Sequence, residues 1–171
     1  MLGHRTQYRA SLLRNEQLEE PLDLGTSGAK KGTKMATHLM LDDLAPTPGY
    51  AHVVVAHPEE HLVLTAGAVP LDVGGDLVGE RDLEAQTRQV LLNLEGALAA
   101  VGSGLSSVVK STVYVVAESR ADLSRVWALV RDSGLSDGPH SSTLLGVSLL
   151  GYPGQLVEIE AIAVTNGRHP A

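Results

Sequence analysis

Apolar positions along the chain follow two rhythms. Between residues 83 and 101, Leu83, Val90, Leu91, Leu94, Leu98 and Val101 recur at three- and four-residue steps, the spacing of one helical face. Asp82 stands where the first turn needs a side-chain acceptor, and Gly102 where the end needs a left-handed residue. Ser119 with Asp122 forms a capping-box pattern that opens a second helix to about Asp132. Leu123, Val126, Trp127 and Val130 share one side of it, and Gly134 follows its end. Elsewhere the rhythm is that of strands. Short β-rich runs at 52–56 and 62–69 stop at His57-Pro58 and at Pro70. Residues 108–116 are β-branched almost throughout. Residues 142–150 and 156–164 are the last strands, parted by the turn-like Gly151-Tyr152-Pro153-Gly154.

The order β, β, helix, β, helix, β, β predicts an α+β two-layer domain, a mixed sheet with two helices on one face. The final strand predicts what each face meets. Val157, Ile159, Ala161 and Ala163 alternate onto one side, small and apolar, suited to helix packing. Leu156, Glu158, Glu160, Ile162 and Val164 fall on the other. Carboxylates beside bulky aliphatics fit neither a dry core nor a washed surface. They suit a subunit interface or a pocket beside one, so a closed homo-oligomer is expected.

Residues 1–34 read differently. The stretch 25–34 (GTSGAKKGTK) has almost nothing to bury, a linker composition. The expectation is a flexible N-terminal tail or non-native extension over 1–34 and one domain over 35–171. With 171 residues, 43% of them hydrophobic, the chain supports one ordinary core. No apolar run is long enough to span a membrane, and the first residues are polar and charged, so a cytoplasmic protein without membrane partners is expected. Cysteine is absent, which removes disulfides and thiolate chemistry.

Charge narrows the partners. Residues 1–34 carry a net +2 and the remainder a net −9. An acidic domain with no Phe and only 3% aromatic residues lacks both the cations and the stacking platforms that nucleic acid requires. Gly74-Gly75 signals a turn, but without a strand–GxGxxG–helix order it is no phosphate loop. His52, His57 and His61 do not fall on one strand face, so no metal site is expected. His140 beside Ser141 and Ser142 suggests a hydrolase. However, adjacent strand residues point opposite ways and no carboxylate orients the imidazole, so a nucleophilic serine is not expected.

Several segments in this order and spacing resemble the RidA/YjgF family over about 48–164. They are Pro48-Gly49-Tyr50, LTAGAVPLD at 64–72, Ala85-Gln86-Thr87-Arg88-Gln89 leading to Leu92-Asn93-Leu94, VVKSTVYV at 108–115, Pro139, and VEIEAIAV at 157–164. The resemblance implies a chorismate-mutase-like fold and a homotrimer with three clefts between subunits. In active members the cleft takes the imine or enamine of a small amino acid. An arginine just after the proline of the penultimate strand holds the carboxylate, and a glutamate on the last strand positions the hydrolytic water. Neither metal nor cofactor is implied.

Carried over by residue, Glu158 matches the catalytic glutamate and Tyr50 the pocket tyrosine. Ser141 stands where the arginine is expected, with Thr143 beyond it on the strand. Ala66 and Ala68 replace a usual serine and glutamine around Gly67, and Trp127 falls where a pocket asparagine is common. The substrate-binding set so implied is Tyr50, Ala66, Gly67, Trp127, Ser141 and Thr143. A serine hydroxyl cannot supply the bidentate, charge-assisted contact of a guanidinium, about 1.5–3 kcal/mol. An ionised Glu158 about 5 Å from a substrate carboxylate would add roughly 3 kcal/mol of repulsion. Arg88, Arg125 or Lys110 of a neighbouring subunit are the cations to test as substitutes. The expectation is a trimer that binds a small metabolite without the usual 2-imino acid deaminase activity. The alternatives are a deaminase for an unusual substrate lacking a carboxylate, using Glu158 and Ser141, and a non-enzymatic regulatory or assembly module.

Overall fold

The computed structural model describes residues 36–41, 44–45, 47, 49–56, 61–135 and 140–165, so the expected tail over 1–34 lies outside the described residues. Eight elements follow in order: β1 (Ala36–Leu39), β2 (Val53–Ala56), β3 (His61–Leu64), α1 (Leu83–Ala99), β4 (Val108–Val116), α2 (Arg120–Arg131), β5 (Ser141–Val147) and β6 (Val157–Thr165). A single 3-10 turn, Leu105–Ser107, leads into β4. β3, β6, β4 and β5 form one sheet in that order. β4 and β5 run parallel while the other pairs are antiparallel, so the sheet is mixed. β1 and β2 make a separate antiparallel ribbon.

Both helices cover one face. Val90, Leu94 and Leu98 of α1 and Val126 and Val130 of α2 are buried with Val113 and Val115 of β4 and Val157, Ile159, Ala161 and Ala163 of β6 in one cluster. The alternation along the last strand therefore sorts the sheet as expected. α1 begins on Asp82, whose carboxylate accepts from the Glu84 and Ala85 N–H groups, and Gly102 after it is left-handed at φ 70°. At α2 the Asp122 carboxylate accepts from the Ser119 N–H at 2.9 Å. None of the described helices is long and apolar enough to cross a membrane.

Three departures have physical causes. β1 was not expected, since Ala36–Leu39 carries no alternation, yet it finds β2 as a partner in register. The strand expected over 142–150 ends at Val147, because its partner β4 ends at Val116, the last residue paired with it. The run expected at 62–69 is interrupted. Thr65 N–H donates to Ala161 O and Ala68 N–H to Ile159 O, so Ala66 and Gly67 together face the single residue Glu160. One extra residue on one strand is a β-bulge, which bends that strand and re-aims its neighbours.

The apolar stripe also missed a polar residue that ties the loops down. Gln86, fully buried, donates to Gly79 O (3.0 Å) and Gly154 O (2.9 Å) and accepts from Leu156 N–H (2.7 Å). It fixes the entry to α1 and the entry to β6 together. Gln86→Ala leaves Gly154 O and Leu156 N–H without this partner, while Gly79 O keeps the Asp82 N–H, and is expected to cost about 2 kcal/mol or more in urea denaturation. Arg88→Ala, exposed on the same helix, should change stability by less than about 0.5 kcal/mol.

Candidate functional site

Side-chain alternation divides the expected site residues between the two faces of the sheet. Ser141 and Thr143 of β5 pair with Lys110 and Thr112, and Glu158 and Glu160 of β6 pair with Tyr114 and Thr112. All of these lie on the face away from the helices. Ser142 instead pairs with the buried Ser111, and it lines a cleft of about 120 Å³ with Tyr50, Trp127 and Leu144.

On the outer face, Glu158 sits against the bulge. Its Oε2 accepts from Gln155 Nε2 at 3.0 Å. A Cβ at Gly67 would lie 1.9 Å from Oε1 and 2.6 Å from Cδ, so only glycine at 67 leaves room for this carboxylate. Ala66 is exposed beside it. The bulge is held from behind, where Asn93 of α1 donates to Val69 O and Leu71 O, both at 2.8 Å. Glu160 is engaged differently, accepting from the Tyr114 hydroxyl at 2.9 Å. That hydrogen bond, with burial and the Glu160 charge, raises the Tyr114 pKa.

Ser141 is half-buried and lies directly across from Lys110. The Lys110 ammonium donates to Thr143 Oγ1 at 2.6 Å. Burial lowers its pKa, and the Glu160 carboxylate opposes that shift. Of the three cations considered, Lys110 alone lies on this face. Arg88 pairs with Glu84 (3.4 Å) and Arg125 with Asp122 (2.6 Å) along the helices. Among the described residues no ion pair reaches Glu158.

Ser141 and Glu158 do not meet within one chain. Glu158 pairs with Tyr114, four residues along β4 from Lys110, and on its opposite flank. At about 3.3 Å per residue and 4.8 Å per strand, their Cα atoms are roughly 16 Å apart. The repulsion expected across about 5 Å is therefore not a property of a single subunit. Tyr50 and Trp127 meet each other instead. Their rings are T-shaped, with centroids 6.3 Å apart and planes at 77°, a favourable aromatic geometry. The Ala51 N–H donates to His140 O at 3.0 Å and ties the Tyr50 segment to the start of β5. Glu158 thus groups with Gly67 and Ala66, Ser141 with Thr143 and Lys110, and Tyr50 with Trp127.

Sequence reasoning missed Gln155 and the polar chain behind Ser142. His140 Nε2 lies 2.8 Å from Ser111 Oγ, which lies 2.8 Å from Ser142 Oγ. His140 and Ser142 are two residues apart on a strand and so share a face; the adjacent pair His140–Ser141 was the wrong one to consider. Ser111, on another strand, gave no signal beyond being a hydroxyl among β-branched residues. His140 is 1% exposed, and its Nδ1 has no hydrogen-bond partner among the described residues.

A mixed sheet with two helices on one face and a bulged strand beside a glutamate is the architecture of an α+β YjgF-like domain. Residues 40–165 match the family described as Endoribonuclease L-PSP, and the chain belongs to that family. A Rid-family protein of unknown function from Yersinia pestis superposes with a TM-score of 0.72 at 32% identity, over 77% of this chain and 100% of that one. A YjgF-family protein from Mycobacterium tuberculosis gives 0.51 at 28% identity, over 76% and 99%. In sequence, a RutC family protein of Pyrococcus abyssi is 29% identical over 83 residues, 47% of this chain and 63% of that protein. One from Synechocystis is 36% identical over 72 residues, 42% and 53%. The matched stretch spans about half the length of such curated relatives.

Two outcomes follow from the geometry. Burial pushes the His140 imidazole down to about 4, with His38 and Lys110 adding to the shift. The unfolded chain takes up this proton from about pH 6.5 downward and the folded chain only near pH 4. Stability is thus fully present above about pH 6.5 and falls as pH drops to 4, by about 3 kcal/mol. Urea midpoints at pH 7 and 4.5 should diverge more for the wild type than for His140→Gln. Gly67→Ala should leave the chain folded but push the Glu158 carboxylate off Gln155. Combined with Glu158→Ala it should cost less than the two single changes added together, since the clash is then gone.

Proposed function

We propose that this chain is a metabolite-binding member of its family, assembled as a closed homotrimer with ligand clefts between subunits and without 2-imino acid deaminase activity. The observation that carries the reading is Ser141, a half-buried hydroxyl at the position that the resemblance gives to a guanidinium. Losing that contact weakens a carboxylate ligand by roughly ten- to a hundredfold. Lys110 beside it is no equivalent, because an ammonium is a point charge without the planar fork of a guanidinium, and it already donates to Thr143 Oγ1.

Assembly is supported by what the outer face exposes. Leu62 and Leu64 of β3 and Leu145 of β5 are 60%, 73% and 42% exposed on the side away from the helices, and such apolar surface calls for cover. It is supported also by the division of the site. The Tyr50–Trp127 wall and the Glu158–Gly67 corner belong to different faces of one subunit, so a cleft that used both would have to be shared between copies. The family's endoribonuclease description is not extended to this chain, whose net charge of −7 repels phosphate backbones.

A second reading rests on the Glu158 carboxylate, held by Gln155 without a cation. Such a group accepts a proton from water as it adds to a neutral imine, giving a carbonyl compound and ammonia.

Generating 2-iminopropanoate in situ and following ammonia release tests the proposal. The wild type is expected to give no acceleration, and Ser141→Arg a measurable one. Wild-type release at the rate of an active relative overturns it, as does a monomeric mass in sedimentation equilibrium.

A further inference from the structure

The hydrogen-bonded chain His140–Ser111–Ser142 does nothing for the outer-face carboxylates. It runs from a buried imidazole to the floor of the cleft between Tyr50, Trp127 and Leu144. The tautomer of His140 sets its direction. Nδ1 of His140 has no partner among the described residues, and a buried N–H without an acceptor is costlier than a bare lone pair. With the ring proton on Nε2, the tautomer that leaves Nδ1 a lone pair rather than an unpaired N–H, it is donated to Ser111 Oγ. The Ser111 hydroxyl then donates to Ser142 Oγ, and the Ser142 hydroxyl is left to donate outward. Each link polarises the next.

We infer that this cleft is a binding site for a small neutral molecule with an apolar body and one hydrogen-bond acceptor, of the ketone, ester or amide class, whose carbonyl oxygen receives the Ser142 hydroxyl. The walls are two aromatic rings and Leu144, and among the described residues no charged side chain lines the cleft. The volume of about 120 Å³ is near that of the roughly 150 Å³ cavity that holds benzene in an engineered core. The site recognises and does not react. Ser142 reaches the imidazole only through Ser111, and in this tautomer Nε2 is a donor with no capacity to take a proton.

The inference deepens the reading above, in which Tyr50 and Trp127 form one wall of the cleft. Its test needs no turnover, so the two fail separately. The chain has a single tryptophan, and Trp127 lines the cleft, so its indole N–H resonance reports occupancy directly. Cyclopentanone titrated into the full-length wild type is expected to move that resonance saturably. Cyclopentylammonium, the same ring with a cation in place of the acceptor, is expected to bind more weakly. Ser142→Ala and Ser111→Ala should each weaken the ketone about fivefold or more, the loss of one oriented hydrogen bond. Three outcomes overturn the inference: no saturable shift with cyclopentanone, tighter binding of the ammonium to the wild type, or unchanged ketone affinity in a folded Ser142→Ala variant. A wild type that hydrolyses 2-iminopropanoate yet prefers the ketone keeps this inference and loses the earlier reading.

Discussion

The alternation of β6 holds this domain and its candidate site in one relation. Val157, Ile159, Ala161 and Ala163 are sealed against the helices, and that burial obliges Glu158 and Glu160 to face the other way. A slip of one residue would drive both carboxylates into the core and expose four apolar side chains. Burying an unpaired carboxylate costs several kcal/mol, so the register has no near competitor. Because β6 lies between β3 and β4, the same constraint fixes which residues flank each glutamate. Tyr114 and Thr112 are assigned from one side, and the bulge at Ala66–Gly67 from the other.

The bulge makes a site of what would otherwise be a polar stripe. The extra residue brings the Gly67 backbone, which carries no side chain, against the Glu158 carboxylate. Gln155, just before β6, fixes one carboxylate oxygen, while Asn93 holds the strand after the bulge against α1. The position of Glu158 thus depends on a helix, a turn and a bulge, all set by the packing of the other face. Glu160, two residues on, is engaged by Tyr114. Two chemically identical groups on one strand face therefore have different surroundings.

The parts of the molecule legible in the sequence were those whose signal is local. The stripe Leu83, Val90, Leu91, Leu94 and Leu98 gave α1, and Asp82 and Ser119 marked helix starts, because caps and faces are properties of a few neighbouring residues. The strands of the central sheet were visible in their β-branched runs. The bulge was not, since Thr65-Ala66-Gly67-Ala68 reads as strand until its partner is known. Gln86 and Asn93 were hidden for the same reason: their acceptors lie on other loops. For the site, residue types pointed to Glu158, Gly67, Tyr50 and Trp127 as parts of a cleft between subunits, but not to which face of one subunit each belongs. The parallel register of β5 on β4 separates them, with Ser142 turned to the helix side and Ser141 to the other.

That separation changes what the serine at 141 means. In a single subunit the outer face is a row of polar groups, Ser141, Thr143 and Lys110 at one end and Glu158 at the other. Among the described residues its one ammonium, Lys110, donates to a hydroxyl and lies in the field of Glu160. An arginine at 141 would add a second cation beside Lys110, and the pair would form a strong anion site. With serine there, the local charge from Lys110 and Glu160 is close to balanced. The helix-side cleft is neutral as well, its polar floor supplied by hydroxyls and an imidazole that burial keeps uncharged at neutral pH. Neither place therefore offers an uncompensated cation to an anionic molecule, and the Glu158 carboxylate, with no ion pair among the described residues, repels one. The substitution at 141 and the buried chain beneath Ser142 occupy adjacent residues of the same strand, and their effects on ligand charge run in the same direction.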